Sequence, residues 1–208
     1  MRQLNDKLAA IAQCLFKKTL KSGPSDLRTL SSFGEVVTGK TPPTARLEFY
    51  GQEVPFIKTP DMHNSVFVIE TESYLSETGA KSQANKFIPE RTVLTACIGA
   101  NAGEVAISSV RAQTNQQINS LISQYPCFLY LSILENRDGL RALGEGSSTM
   151  ININKTSFEH YKIVCPETTW LNQLEGHLSK IFNQIEACEK EIDNLTKLKA
   201  LFCCNLSS

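Results

Sequence analysis

The sequence predicts an α+β fold, a mixed and strand-rich domain followed by a long coiled-coil-forming helix. Three observations carry this. Apolar residues recur at helical spacing near the start of the chain (Leu4, Leu8, Ile11, Leu15) and again over 171–195. Between these ends lie short β-branched runs bounded by Gly, Pro and Asn. At 208 residues the chain is long enough to bury a real core. Three zones follow: an N-terminal helix over 1–22, a strand-rich domain over 23–166 and a long helix over 167–208.

The first helix ends at Ser22-Gly23-Pro24, which cannot continue it. Gly34, Gly39, Lys40 and Thr41 then satisfy the phosphate-loop spacing G-x-x-x-x-G-K-[ST]. Such a loop needs a helix running on past the Lys and Thr, with its N-terminus aimed at phosphate. Pro42 and Pro43 come next, and the second lacks an N–H the helix needs and clashes with a preceding carbonyl. A strand ending in a carboxylate, 66–70, does follow, but Pro55 and Pro60 interrupt the crossover. An NTPase using 34–41 is therefore only the alternative reading. A sharp turn is favoured, with permissive glycine and an extended Pro-Pro exit.

The best strands lie near 92–98, 105–108 and 117–123, and Asn101 tops a glycine-flanked turn between the first two. Residues 126–143 read as one helix burying Leu129, Ile133, Leu140 and Leu143, with a loop over 144–148. The last zone is the clearest. Leu171, Leu174, Leu178, Ile181, Ile185, Cys188, Ile192 and Leu195 follow spacings 3-4-3-4-3-4-3, the a/d seam of a coiled coil. So narrow a stripe suits one partner helix, which makes the chain a candidate homodimer; the plain alternative is a helix lying on its own domain.

Composition excludes several classes. Twenty-one basic and 21 acidic residues cancel, which argues against a stand-alone nucleic-acid binder. Yet up to Arg46 eight basic residues face three acidic ones, so a grip on DNA shared with a partner is compatible with neutrality. No stretch reaches membrane-spanning length, no leader pattern opens the chain, and seven scattered cysteines contain no C-x-x-C. A cytoplasmic protein with reduced thiols and no membrane association is expected. Cys97 reads as core, and His63, His160 and His177 suggest no catalytic or metal-binding group. No cofactor site is visible.

Five motifs occur in order: GEVVTGKTPPT (34–44), YGQEVPFIKTPDM (50–62), TVLTACIGANAGEVAI (92–107), TNQQIN (114–119) and INKTSFEHYKIVCP (153–166). Together they resemble the target-recognition domain of type I restriction–modification DNA specificity subunits. The seam at 171–195 matches the spacer helix that follows such a domain, and 4–18 resembles the end of the one preceding it. Full-length members carry two recognition domains and two spacers, so the resemblance implies a half-subunit. It implies a non-catalytic specificity component that binds double-stranded DNA and directs partner subunits. Those would be methyltransferase subunits using S-adenosylmethionine and motor-nuclease subunits using ATP and magnesium. The chain would pair with a second copy, or with another half-subunit, through its C-terminal helix. A coiled-coil protein-interaction scaffold is the remaining alternative.

Base reading requires side chains able to form paired hydrogen bonds, and backbone positioning requires cations and small hydroxyls. The candidates are Lys40 and Thr41 in the first turn, Lys58 and Thr59 before Pro60, and Lys81 and Lys86 in the aperiodic segment 70–91. Asn101, Asn115, Gln116, Ser147 and Ser148 complete the set. Each has a plain structural alternative, which for Asn101 and Asn115 is the favoured one. Pairing is expected through Leu171, Leu174, Leu178, Ile181, Ile185, Ile192 and Leu195.

Overall fold

The chain leaves and re-enters its helical part through one two-stranded ladder. In the computed structural model, which describes residues 1–145 and 151–206, helix α1 (Arg2–Ser22) leads into β1 (Ser25–Thr29). Strand β10 (Lys162–Pro166) pairs antiparallel with β1, Ser25 opposite Pro166, and feeds helix α6 (Thr168–Leu206). The ladder therefore sets α1 and α6 side by side and antiparallel. A Cβ on Gly23 at the end of α1 would sit 3.2 Å from the Trp170 ring near the start of α6. At 1.5 Å per residue α1 runs roughly 31 Å and α6 roughly 58 Å, so α6 projects well past α1.

The strands between lie in two sheets. Strand β2 (Gly34–Thr38) is followed by β3 (Tyr50–Ile57), β4 (Phe67–Val68) and β5 (Tyr74–Leu75). After helix α2 (Glu77–Lys81) come β6 (Val93–Ala96), β7 (Val105–Ser108), β8 (Gln113–Thr114) and β9 (Ile118–Ser123). Five strands form one sheet in the order β2-β9-β6-β7-β4; β5-β3-β8 form the other. The large sheet is packed on both faces, so apolar residues occur on both sides of its strands. Val36, Phe67, Val93, Ile107 and Leu121 face the helices, while Val37, Val68, Leu94, Ala106 and Ile118 face a second core shared with Ile57, Met62, Ile88 and Ala112. That second core attaches the smaller sheet. Pro55 sits inside β3, next to the register shift between Tyr50 and Val54, where a strand tolerates proline.

Residues 126–143 are two helices, α3 (Pro126–Glu135) and α4 (Arg137–Ala142), rather than one. Asn136 marks the break, its Nδ2 donating to the Ser132 carbonyl at 2.8 Å while Tyr161 Oη–H donates to its Oδ1. Leu129, Ile133 and Leu140 are buried as expected, but Leu143 beyond the break is exposed. Helix α5 (Lys155–His160) completes the described elements. Among the described residues no helix is long and apolar enough to cross a membrane.

The expectation of an exposed seam on α6 is corrected. Leu171, Leu174, Leu178 and Ile185 are buried within the chain itself, Ile181 is half-buried, and Phe182, off the expected seam, is buried beside them. The cause is the β1–β10 ladder, which places α1 against α6, while α3 covers the neighbouring face. Each of these large side chains contributes about 1.5–3 kcal/mol by leaving water. Ile192 is half-buried, and only from Leu195, half exposed, does the stripe open, joined by Leu198, Leu201 and Phe202.

Charge fastens what apolar packing begins. Helix α3 starts at Tyr125-Pro126 with no side-chain cap of its own. Glu175 of α6 supplies one, accepting the N–H groups of Cys127 at 3.0 Å and Phe128 at 2.8 Å. Two heptads on, Glu189 accepts Val66 and Phe67 N–H, both at 2.9 Å, closing the sheet edge at β4. Burial is the larger influence on both carboxyls and holds each above its ordinary range, although the N–H donors pull the other way. Between them Arg91 donates to Asn183 at 2.7 Å and to Glu186 at 2.5 Å, and Ser109 also donates to Glu186.

Glu175→Ala should lower stability to urea by about 2–5 kcal/mol, because two buried N–H groups lose their acceptor. Glu175→Gln should cost less. The folded chain holds the Glu175 proton more tightly than the unfolded chain, so its contribution declines as pH rises from the ordinary carboxylate value through the raised one. Wild type should accordingly lose stability relative to Glu175→Gln over that window; parallel curves would contradict the assignment.

Candidate nucleic-acid interface

Three distant segments meet at one face of the smaller sheet: 39–41, 80–88 and 111–117. Two buried glutamines hold them. Gln83 Nε2 donates to the Lys40 carbonyl and to Gln113 Oε1, both at 2.8 Å. Gln113 Nε2 donates onward to the Ala80 and Gln83 carbonyls at 2.9 and 3.3 Å. Buried amides are tolerated because both find partners, and their geometry fixes one pairing of the segments. Lys40 N–H donates to the Thr114 carbonyl at 2.9 Å, and Ile88 N–H to Ala112 at 2.9 Å.

This clamp presents Lys40, Lys81 and Arg111 to solvent, with Lys86 half-buried beside them. Thr41 Oγ1 donates to Gln116 Oε1, joining the first segment to the third. Lys81 also pairs with Glu77 at 2.7 Å on α2, an exposed contact that a phosphate can replace. Lys40, Thr41, Lys81, Lys86 and Gln116 are thus brought together. Arg111, which sequence reading missed, joins them, its guanidinium 3.7 Å from the Phe87 ring centroid. Arg46 was missed likewise and lies 5.3 Å over Phe49. Twenty-four residues separate Arg111 from Phe87, and no local pattern announces that pairing.

Other candidates are placed elsewhere. Lys58 is turned inward, Nζ donating to Ser73 Oγ at 2.7 Å, while its N–H donates to Asp61 at 2.7 Å. Thr59 is buried and donates to Gln117 Oε1 at 3.4 Å. Asn115 is buried too, donating to Gln117 Oε1 at 3.1 Å and accepting the Gln117 N–H at 3.2 Å. Through Gln117, Thr59 and Asn115 hold the turn between β8 and β9. Asn101 donates to His63 Nε2 at 3.3 Å, and the other ring nitrogen, Nδ1, donates to Glu104 at 2.8 Å. The left-handed positions of its turn are Gly99 and Gly103, both at φ +84°, so Asn101 is not the residue that needs that geometry. Ser147 and Ser148 lie outside the described residues.

Asn101's partner His63 and Glu104 line a cleft of about 940 Å³ between α1, α6 and the large sheet. Asp6, Asp61, Glu70, Glu104, Glu189 and Asp193 line it against Arg2 and Arg137. A carboxylate-rich wall repels phosphate, which leaves the Gln83–Gln113 face as the better nucleic-acid surface. Cys97 is buried, its thiol pushed up to about 12 by burial, and is inert as a nucleophile.

The 34–41 motif forms no phosphate loop. Residues 39–46 run on without a helix, and the next element is a single 3-10 turn, Leu47–Phe49. Gly39 is required for space: a Cβ there would lie 2.1 Å from the Asn115 carbonyl oxygen and 2.3 Å from Thr114 Oγ1.

A profile of the family described as Type I restriction modification DNA specificity domain matches residues 24–197. The chain belongs to this family. The type I restriction enzyme HindI specificity subunit of Haemophilus influenzae is 36% identical over 181 residues, covering 85% of this chain and 39% of that protein. The MjaIX specificity subunit of Methanocaldococcus jannaschii is 25% identical, covering 83% and 41%. The chain thus spans about two fifths of the length of these curated relatives. The crystal structure of a type I restriction–modification S subunit from M. genitalium aligns with TM-score 0.63 at 14% identity, over 95% of this chain and 51% of that one. At that identity the likeness concerns the fold, which for a specificity-domain member is the α+β fold expected.

Two outcomes are expected. Gly39→Ala should destabilise the chain by about 1–3 kcal/mol or more, since backbone must move to admit the methyl. Calorimetry with ATP and magnesium should show no binding; micromolar affinity would revive the phosphate loop.

Proposed function

We propose that this chain is a sequence-specific DNA-recognition module of a type I restriction–modification complex. The observation that carries the reading is a specificity-family domain in which the Gln83–Gln113 clamp joins the segments bearing the exposed Lys40, Lys81 and Arg111 and the half-buried Lys86. The module supplies an address and no chemistry. Methyl transfer from S-adenosylmethionine and ATP- and magnesium-dependent cleavage belong to partner subunits, assembled in the cytoplasm on double-stranded DNA.

Assembly follows from the arm. On α6 the half-exposed Leu195 and Leu198, with Leu201 and Phe202, extend an apolar stripe beyond the reach of α1, and Leu4 and Ile11 expose another on α1 itself. Stripes of this kind mark interaction surfaces. A second copy, or a second half-subunit, related by a two-fold axis would cover them and oppose the two recognition faces. The pairing surface is then the distal half of α6, not Leu171 to Ile185.

Duplex affinity should fall steeply with salt, and Lys40→Ala should reduce the log–log slope by about 0.9. Lys58→Ala should leave the slope unchanged, because its ammonium is engaged by Ser73. Salt-independent binding, or none, would overturn the assignment. Light scattering should show a dimer that Leu198→Asp converts to monomer with an unchanged urea midpoint; a wild-type monomer at high micromolar concentration would remove self-pairing.

A further inference from the structure

The chain's arginines differ sharply in what occupies them. Arg28 pairs with Asp26 and Arg91 with Glu186, while Arg141 donates to the Ala100 and Ala102 carbonyls. Arg2 and Arg137 line the acidic cleft. Arg46 and Arg111 remain. Each lies over an aromatic ring, and among the described residues neither has a carboxylate within ion-pair distance.

Arg111 is the more tightly held. It sits 3.7 Å from the Phe87 centroid, on an exposed bend whose next residue, Ala112, bridges Ile88. Phe87 is backed in turn by the small core of Phe56, Leu75 and Ala80. Ring, bend and core brace the guanidinium, so little rotamer freedom is left to lose on binding. A phosphate contact needs no such brace, because a mobile lysine serves it equally well. A planar donor fork held in one orientation matches a surface bearing two acceptors at fixed spacing. Guanine presents that pair, O6 and N7, in the major groove.

We infer that Arg111, stacked on Phe87, reads a guanine in the recognised sequence. The inference rests on the DNA-recognition reading above and adds to it one residue and one base. Lys40, Lys81 and Lys86 then position the backbone around that contact, and they carry no sequence information themselves.

The test is selection of duplexes from a random library by the full chain, comparing wild type with Arg111→Ala and Arg111→Lys. Both variants should remain folded, with at most a small drop in urea midpoint, because Arg111 is exposed and its loss removes only the contact with Phe87. Wild type should enrich a motif containing a guanine whose preference falls at least about tenfold in Arg111→Ala, other positions holding. Arg111→Lys should retain the salt slope but lose most of that preference. A full wild-type motif in Arg111→Ala, with affinity uniformly lower and the salt slope reduced by about 0.9, would make Arg111 a phosphate contact and overturn the inference alone. A wild-type chain that enriches no motif would instead overturn the DNA-recognition reading, and this inference with it.

Discussion

Four backbone N–H groups leave water where α6 meets the strand-rich domain, and two glutamates of α6 receive them. Cys127 and Phe128 donate to Glu175, and Val66 and Phe67 to Glu189. An uncapped helix start and an open sheet edge are both costly to bury, so neither α3 nor β4 could hold its place without α6. Two points fourteen residues apart fix both the position and the rotation of the helix. Phe182 then packs edge-on against Phe67 and Tyr130, at 6.2 and 5.5 Å between centroids, filling the space between the clasps. The helix is a wall of the domain before it is an arm.

That constraint carries outward to the proposed DNA face. The large sheet is sandwiched between the helical core and the second core, and the second core holds the smaller sheet. Gln83 and Gln113 lock 80–83 against β8 of that smaller sheet and against Lys40 in the segment after β2. A rotation of α6 would therefore be transmitted through packed layers to Lys40 and Arg111, since close-packed interiors transmit strain.

The sequence made α1 and α6 legible through period, and β6, β7 and β9 through short β-branched runs bounded by turn residues, while α2 and α5 carried no such signal. The 3.5-residue period of α6 was real, but a period states that a stripe must be covered, not by which chain. What decided it was the pairing of β1 with β10, two short strands 137 positions apart at Ser25 and Lys162 that carry no distinctive pattern. Breaks made by side chains were equally silent: Asn136 ends α3 by bonding backward, with no proline or glycine to announce it. At the candidate site, residue type pointed to Lys40, Lys81 and Gln116, but burial removed Asn115 and Thr59, and an internal partner removed Lys58. Arg111 was hidden because its meaning depends on Phe87, which topology alone brings beneath it. The glycine at 39 is read from the sequence as a permissive turn residue, whereas its structural reason is space against Asn115 and Thr114.

Native-state hydrogen exchange along α6, measured at two protein concentrations, tests the central claim most directly. If α6 is a wall of its own domain, amides over 171–189 should be protected close to the global unfolding free energy at both concentrations, and those over 195–203 should exchange faster, slowing only as concentration rises. Fast exchange over 171–189 in dilute solution, with protection gained on association, would mean that the seam is made between chains and would contradict the account.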